Sequence, residues 1–222
     1  MGKASRLRAQ RRAARTDSTA TLERVVRDPI KRLHDAVMAI GDAYGTDADC
    51  ASAAAVLREA ARLMGYELRA RPVSVVIRDK KTGDIAAMGP KARARFSPED
   101  LAKSEDHRPD GEDNGHLILT SEDPQMLYDP NLRQTGAYGI QAPSVIMNID
   151  STQPSSGEWN ANLPEQYVLY ILDEGNRVLI DAMKRAAPNL AEAAQALVGN
   201  LRDGMSVDEL ASQSATWRAR RK

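Results

Sequence analysis

Apolar residues recur at three- and four-residue steps early in the chain: Leu22, Val25, Val26, Ile30, Leu33, Val37, Met38 and Ile40 fall on one stripe. That spacing predicts an amphipathic helix over about 20–43, kinked or divided at Pro29 because proline lacks a backbone N–H and crowds the preceding turn. Gly41, Gly45 and the polar run 46–49 read as a loop ending in an N-cap. A second stripe, Ala53, Val56, Leu57, Ala60, Leu63 and Met64, predicts a helix over 49–64 with Gly65 as its C-cap. The period then shortens. Val73, Val75, Val76 and Ile77 dominate 66–78, a Lys-Lys-Thr-Gly-Asp turn follows, and 85–88 is apolar again, which predicts a β-hairpin.

Residues 89–115 are polar and carry Pro90, Pro98, Pro109 and several acids. Apart from a short helix start at Ser97-Pro98, this stretch reads as an exposed loop. Strands are expected at 116–120, 126–129, 144–150 and 166–172, with a turn at 121–125 and a Pro-, Ser- and Asn-rich loop over 151–164. Helices are expected at 178–187 and 189–201, on either side of Pro188, and a last segment capped by Ser206.

At 222 residues, without internal repeat, the chain is expected to form one domain with extra helices, or at most two. The division is a disordered basic arm over 1–18, an α+β domain over 19–187, and C-terminal helices with a basic tail over 188–222. The formal charge balances at 31 basic against 31 acidic residues, so the overall field does not mark nucleic acid as the main partner. Both ends are nevertheless basic, with six Lys or Arg among residues 1–15 and four in the last five. Residues 1–15 are candidates for a weak, salt-sensitive nucleic-acid contact, although no aromatic is interleaved for base stacking.

The single cysteine, Cys50, excludes an intramolecular disulfide and suits a reducing compartment. No apolar run approaches the roughly 18 residues of a membrane span, and the basic start lacks the apolar stretch of a signal peptide. The expectation is a soluble cytoplasmic protein with no membrane contact.

Cys50 opens the second predicted helix, where the helix N-terminus favours a thiolate. A catalytic thiol also needs an imidazole brought from elsewhere in the chain. His116 begins an apolar strand directly after Gly115, and Asp129 lies on the returning strand roughly opposite His116 or Leu117. An acid placed there would orient the imidazole and stabilise its protonated form. Asp49, beside Cys50, opposes thiolate formation unless it is engaged as the helix cap.

These residues carry a resemblance. A cysteine at a helix start, a helix ending in Arg-Leu-Met-Gly-Tyr-Glu-Leu, a strand, a Gly-His-Leu-Ile-Leu strand and then Met-Leu-Tyr-Asp-Pro-Asn-Leu-Arg-Gln resemble the transglutaminase-like branch of the papain-type cysteine enzymes, which includes the arylamine N-acetyltransferases. The resemblance covers about 45–150. It implies a papain-like, transglutaminase-like α+β fold, a Cys-bearing helix on a small antiparallel sheet with additional N- and C-terminal helices. It also implies a hydrolase or acyltransferase for a peptide or amide substrate, with Cys50 as nucleophile, His116 as general base and acid, and Asp129 as orienting acid. Gln134 and Tyr128 are expected to line the substrate site, and 89–115 to act as a lid.

Competing chemistry finds little footing. The sequence holds no CxxC or HExxH spacing and no phosphate-binding glycine loop, so neither a metal nor a cofactor is expected. Residues 110–114 lack the length and terminal Glu of a calcium loop. His34, among Lys31, Arg32 and Asp35, and His107, in the acidic loop, read as solvated. The alternative is a non-catalytic protein of the same fold that binds nucleic acid or a protein partner through its basic ends.

Overall fold

Asp28 organises the entry to the first helix. Its carboxylate accepts from Ile30 N at 3.0 Å and its carbonyl from Lys31 N at 3.2 Å. Pro29 therefore sits in a turn ahead of helix α1 (Lys31–Tyr44) and not inside a helix, as the sequence pattern allowed. The computed structural model describes residues 28–44, 49–97, 99, 115–123, 125–138, 140, 142–149 and 157–221. The expected arm over 1–18, the apolar stripe before residue 28, His107 and most of the expected lid lie outside the described residues.

Helix α2 (Cys50–Leu63) is capped by Asp49, and its Ala-rich face lets it pack closely on the sheet. Strand β1 (Arg69–Asp79) and β2 (Ile85–Met88) form the expected hairpin, followed by the short helix α3 (Pro90–Arg93). Then come β3 (His116–Glu122), β4 (Gln125–Asp129), a 3-10 helix (Leu132–Tyr138), β5 (Val145–Asn148), β6 (Glu158–Asn162) and β7 (Gln166–Leu172). Helices α4 (Val178–Arg202) and α5 (Val207–Arg221) finish the chain. The fold is α+β, with five α-helices and one seven-stranded antiparallel sheet among the described residues. No described helix is long and apolar enough to cross a membrane.

The strand order is β5-β4-β3-β1-β7-β6, with β2 pairing β1. Alternation along the strands splits the apolar residues between two cores. Leu117, Leu119, Met126 and Tyr128 pack against α1, α2 and α4, together with Val37, Leu57, Ala60 and Leu197. Val73, Val75, Ile77, Ile118, Leu127, Val168 and Tyr170 form the second core. Val145 of β5 and Trp159 of β6 also join that second core, although their strands lie at opposite ends of the order. The sheet is thus curled almost to closure, as strand twist favours, with the helices on its outside.

Two expectations fail here. Residues 151–164 read as loop, yet β6 runs through 158–162. Trp159 and Ala161 are buried while Asn160 and Asn162 are exposed, so a period-two strand is hidden under an Asn-rich composition. Pro188 was expected to separate two helices, yet α4 runs through it unbroken. Buried Met183 before it, and Ala193, Ala194, Leu197, Val198 and Leu201 after it, hold α4 on one continuous packing face that outweighs the missing hydrogen bond. The boundary expected between 187 and 188 consequently falls inside one helix. The stop and restart at α5 follow the pattern: Ser206 N donates to Glu209 Oε2 at 2.7 Å and Glu209 N to Ser206 Oγ at 3.2 Å, a capping box.

One close approach decides where β3 begins. β3 pairs with residues 69–73 of β1 and β2 with residues 75–78, so β2 and β3 lie end to end along β1. At the junction a Cβ on Gly115, where φ is +83°, would stand 2.6 Å from the Val73 carbonyl oxygen, and one on Gly89 would stand 2.9 Å from Gly115 Cα. Gly115→Ala is expected to cost about 2–4 kcal/mol of stability, backbone strain and clash together. Gly83→Ala, where φ is +79° and a Cβ meets nothing within 4 Å, should cost about 1–2 kcal/mol. Urea unfolding midpoints measure both, and equal losses would show that the junction tolerates a side chain.

Candidate active site

The thiol is placed by the helix that carries it. Asp49 is extended (φ −135°, ψ 105°), and its carboxylate accepts from Ala51 N at 2.9 Å and from Ser52 Oγ. The Asp49 charge is therefore spent on the start of α2, and Cys50 is the first residue of the helix. Cys50 is 4% exposed.

The imidazole and the acid are placed by sheet register. Leu119 pairs with Tyr128, so Asp129 falls opposite Ile118 and diagonal to His116, on the same face. The sequence reading put it opposite His116 or Leu117; the observed position, one beyond Leu117 and two beyond His116, leaves the acid on the His116 face. His116 Nε2 lies 2.7 Å from Asp129 Oδ1, and both side chains are 0% exposed. Asp129 accepts two more hydrogen bonds, from the Tyr170 hydroxyl on Oδ2 at 2.8 Å and from Asn131 N on Oδ1 at 3.2 Å. Burial and the adjacent Asp129 charge hold the Tyr170 hydroxyl far above its ordinary range, so it remains a donor.

The other ring nitrogen, Nδ1, faces the 3-10 helix. The Gln134 side-chain amide, on the 3-10 helix, lies 2.6 Å from His116 Nδ1 and 3.6 Å from the Met88 sulfur. Cys50 lies near enough to the same ring to help raise its pKa. Both ring nitrogens thus have polar partners, Asp129 on Nε2 and Gln134 on Nδ1. Burial alone would lower the His116 pKa, but the Asp129 charge and hydrogen bond, with those of Cys50, outweigh it and push it up to about 10. The imidazole is thus held in its protonated form at neutral pH.

Tyr128 is not brought to this cluster. It is fully buried in the helix-side core, its hydroxyl 3.5 Å from Ser121 Oγ, on the opposite face of β4 from Asp129. Burial raises its pKa well above the ordinary range. His34, expected to be solvated, is 1% exposed: Nε2–H donates to the Asp129 carbonyl oxygen at 3.1 Å, and Nδ1 lies 3.3 Å from Asp35 Oδ1. His34, Tyr170 and Asn131 all support Asp129 and were missed from sequence. For His34 a signal existed, since it sits with Ile30, Leu33 and Val37 on the apolar stripe of α1.

A groove of about 390 Å³ lined by Arg58, Arg62, Tyr66, Met183, Lys184 and Pro188 lies toward the other end of α2 from Cys50. Its Arg62 is paired with Glu59. Among the described residues, no three His, Cys, Asp or Glu side chains are grouped so as to hold a metal ion. No family model, curated protein or solved structure matches the chain.

Proposed function

We propose that this chain is a cysteine-nucleophile hydrolase or acyltransferase of the papain-like, transglutaminase-like type, acting on a peptide or amide substrate. The observation that carries the reading is one buried imidazole, His116, held by Asp129 on Nε2 and adjoining Cys50 at a helix start. Three groups from α2, β3 and β4 converge in the order that nucleophilic thiol chemistry requires.

In the proposed reaction the Cys50 sulfur attacks the acyl carbon as the thiolate, beside the His116 ring that already holds the proton. The resulting oxyanion accepts from N–H groups at the start of α2, where Cys50 and Ser52 have no preceding turn to bond. His116 then gives its proton to the leaving amine, the C–N bond breaks, and a thioester remains on Cys50. Water completes hydrolysis, or an amine completes transfer, with His116 taking the proton of the attacking group. Asp129 keeps the ring oriented throughout, and Gln134 lines the approach.

Alkylation tests the reading without a known substrate. Iodoacetamide is expected to label Cys50 in the folded protein at pH 6–7 far faster than a free thiol, and His116→Asn should abolish that advantage. Labelling that occurs only after denaturation would show Cys50 to be a sealed core residue and end the enzymatic reading.

A further inference from the structure

Pro188 leaves a mark on the surface as well as on the helix. Proline carries no N–H, so position 188 offers no donor to the Lys184 carbonyl four residues earlier in α4. Both residues line the groove of about 390 Å³ between α2 and α4, a volume within the range of roughly 300–1,000 Å³ usual for small-molecule sites. One wall of the groove therefore carries a backbone acceptor that the i→i−4 ladder of α4 does not fill.

Arg58 stands on the α2 side. Its Nε–H donates to the Leu68 carbonyl at 3.2 Å, which anchors the guanidinium and leaves its terminal nitrogens, the fork that fits a carboxylate, for a ligand. Glu59 is close enough to feel the Arg58 charge, but its two oxygens are held by Arg62 at 2.8 and 2.7 Å. Lys184, 3.7 Å from Asp181, is a further cation of the lining, and Glu67 is an exposed acid at its rim. Three cations against Glu59 and Glu67 favour a monoanion. The floor is apolar, formed by buried Ala55, Leu68 and Met183.

We propose that this groove binds an N-acylated apolar amino acid, its carboxylate on Arg58, its N–H on the Lys184 carbonyl and its side chain on the floor. A carboxylate, a single donor and an apolar body occur together in that class. A fatty acid lacks the donor, and a free amino acid brings an ammonium that is costly to desolvate beside an apolar floor. The proposal does not depend on the nucleophile reading of Cys50, which lies toward the other end of α2.

Calorimetric titration of the full chain with N-acetylphenylalanine tests it. The controls are 3-phenylpropanoate, which lacks the N–H, and N-acetylphenylalanine amide, which lacks the charge. N-acetylphenylalanine should bind about tenfold more tightly than either.

Arg58→Gln should weaken N-acetylphenylalanine by about tenfold and leave the uncharged amide unaffected. Pro188→Ala restores an N–H for the Lys184 carbonyl, so the preference over 3-phenylpropanoate should vanish while the unfolding midpoint holds or rises. Cys50→Ala should bind as the wild type does. Absence of saturable binding to the wild type, an unchanged affinity in Arg58→Gln, or a preference that survives Pro188→Ala would each overturn the proposal. Loss of binding in Cys50→Ala would move the ligand to the thiol and overturn it as well.

Discussion

Asp129→Ala is expected to lower the unfolding free energy by about 3–5 kcal/mol, because it removes one partner of a buried charged pair and leaves the other behind. The carboxylate is 0% exposed and accepts from His116 Nε2, Tyr170 and Asn131 N, so alanine strands three donors in a sealed place. His116 would then lose its proton, since burial lowers its pKa once the Asp129 charge is gone. Asp129→Asn separates shape from charge. Its amide oxygen can accept from His116 and Asn131 N, while its NH2 can donate to the Tyr170 oxygen, so the expected loss is smaller, about 1–2 kcal/mol. Yet the charge that holds His116 protonated is absent, and rapid labelling of Cys50 at pH 6–7 should disappear in both variants. Urea unfolding and iodoacetamide rates, read side by side, test the argument. An asparagine variant that labelled at the wild-type rate would show that Asp129 is a scaffold and not the group that sets the imidazole's charge.

Much of the site was legible because it depends on local rules. Cys50 falls at a helix start since Asp49 caps and an Ala-rich stripe follows. Asp129 meets His116 since a short turn leaves little freedom in register and alternation does the rest. Gly115 before His116 reads as the entry to a strand, although only three dimensions show that the Val73 carbonyl forbids a Cβ there.

What was not legible depends on partners far away in sequence. His34 looked solvated because Lys31, Arg32 and Asp35 surround it, but a helix separates its faces by angle and not by neighbour, and its own face is apolar. Tyr128 was expected to line the site, but it adjoins Asp129 in one strand, and adjacency in a strand means opposite faces. Tyr170 reaches Asp129 only because β7 pairs with β1 across a long connection, which no pattern in either strand announces. Trp159 is a core residue on a strand whose Asn residues read as loop, and Pro188 is carried through α4 by packing on α2 that propensity does not see.

The His116 pair also ties stability to pH. Its folded pKa of about 10 lies above the ordinary 6.5, so the folded state holds the proton more tightly than the unfolded chain. The stabilisation this supplies is full below about pH 6.5 and is lost as pH rises through about 10, so stability should fall across that window. The slope cannot exceed about 1.4 kcal/mol per pH unit for one proton. In His116→Asn the contribution disappears, and the unfolding midpoint should change less between pH 6.5 and 9.5. Cys50→Ala should keep much of the slope, because Asp129 is the larger of the two influences that raise the pKa and Cys50 only adds to it. Asp129→Asn should remove most of it. If all three variants kept the wild-type slope, the proton would reside elsewhere, and the charged pair could not be the state from which Cys50 is activated.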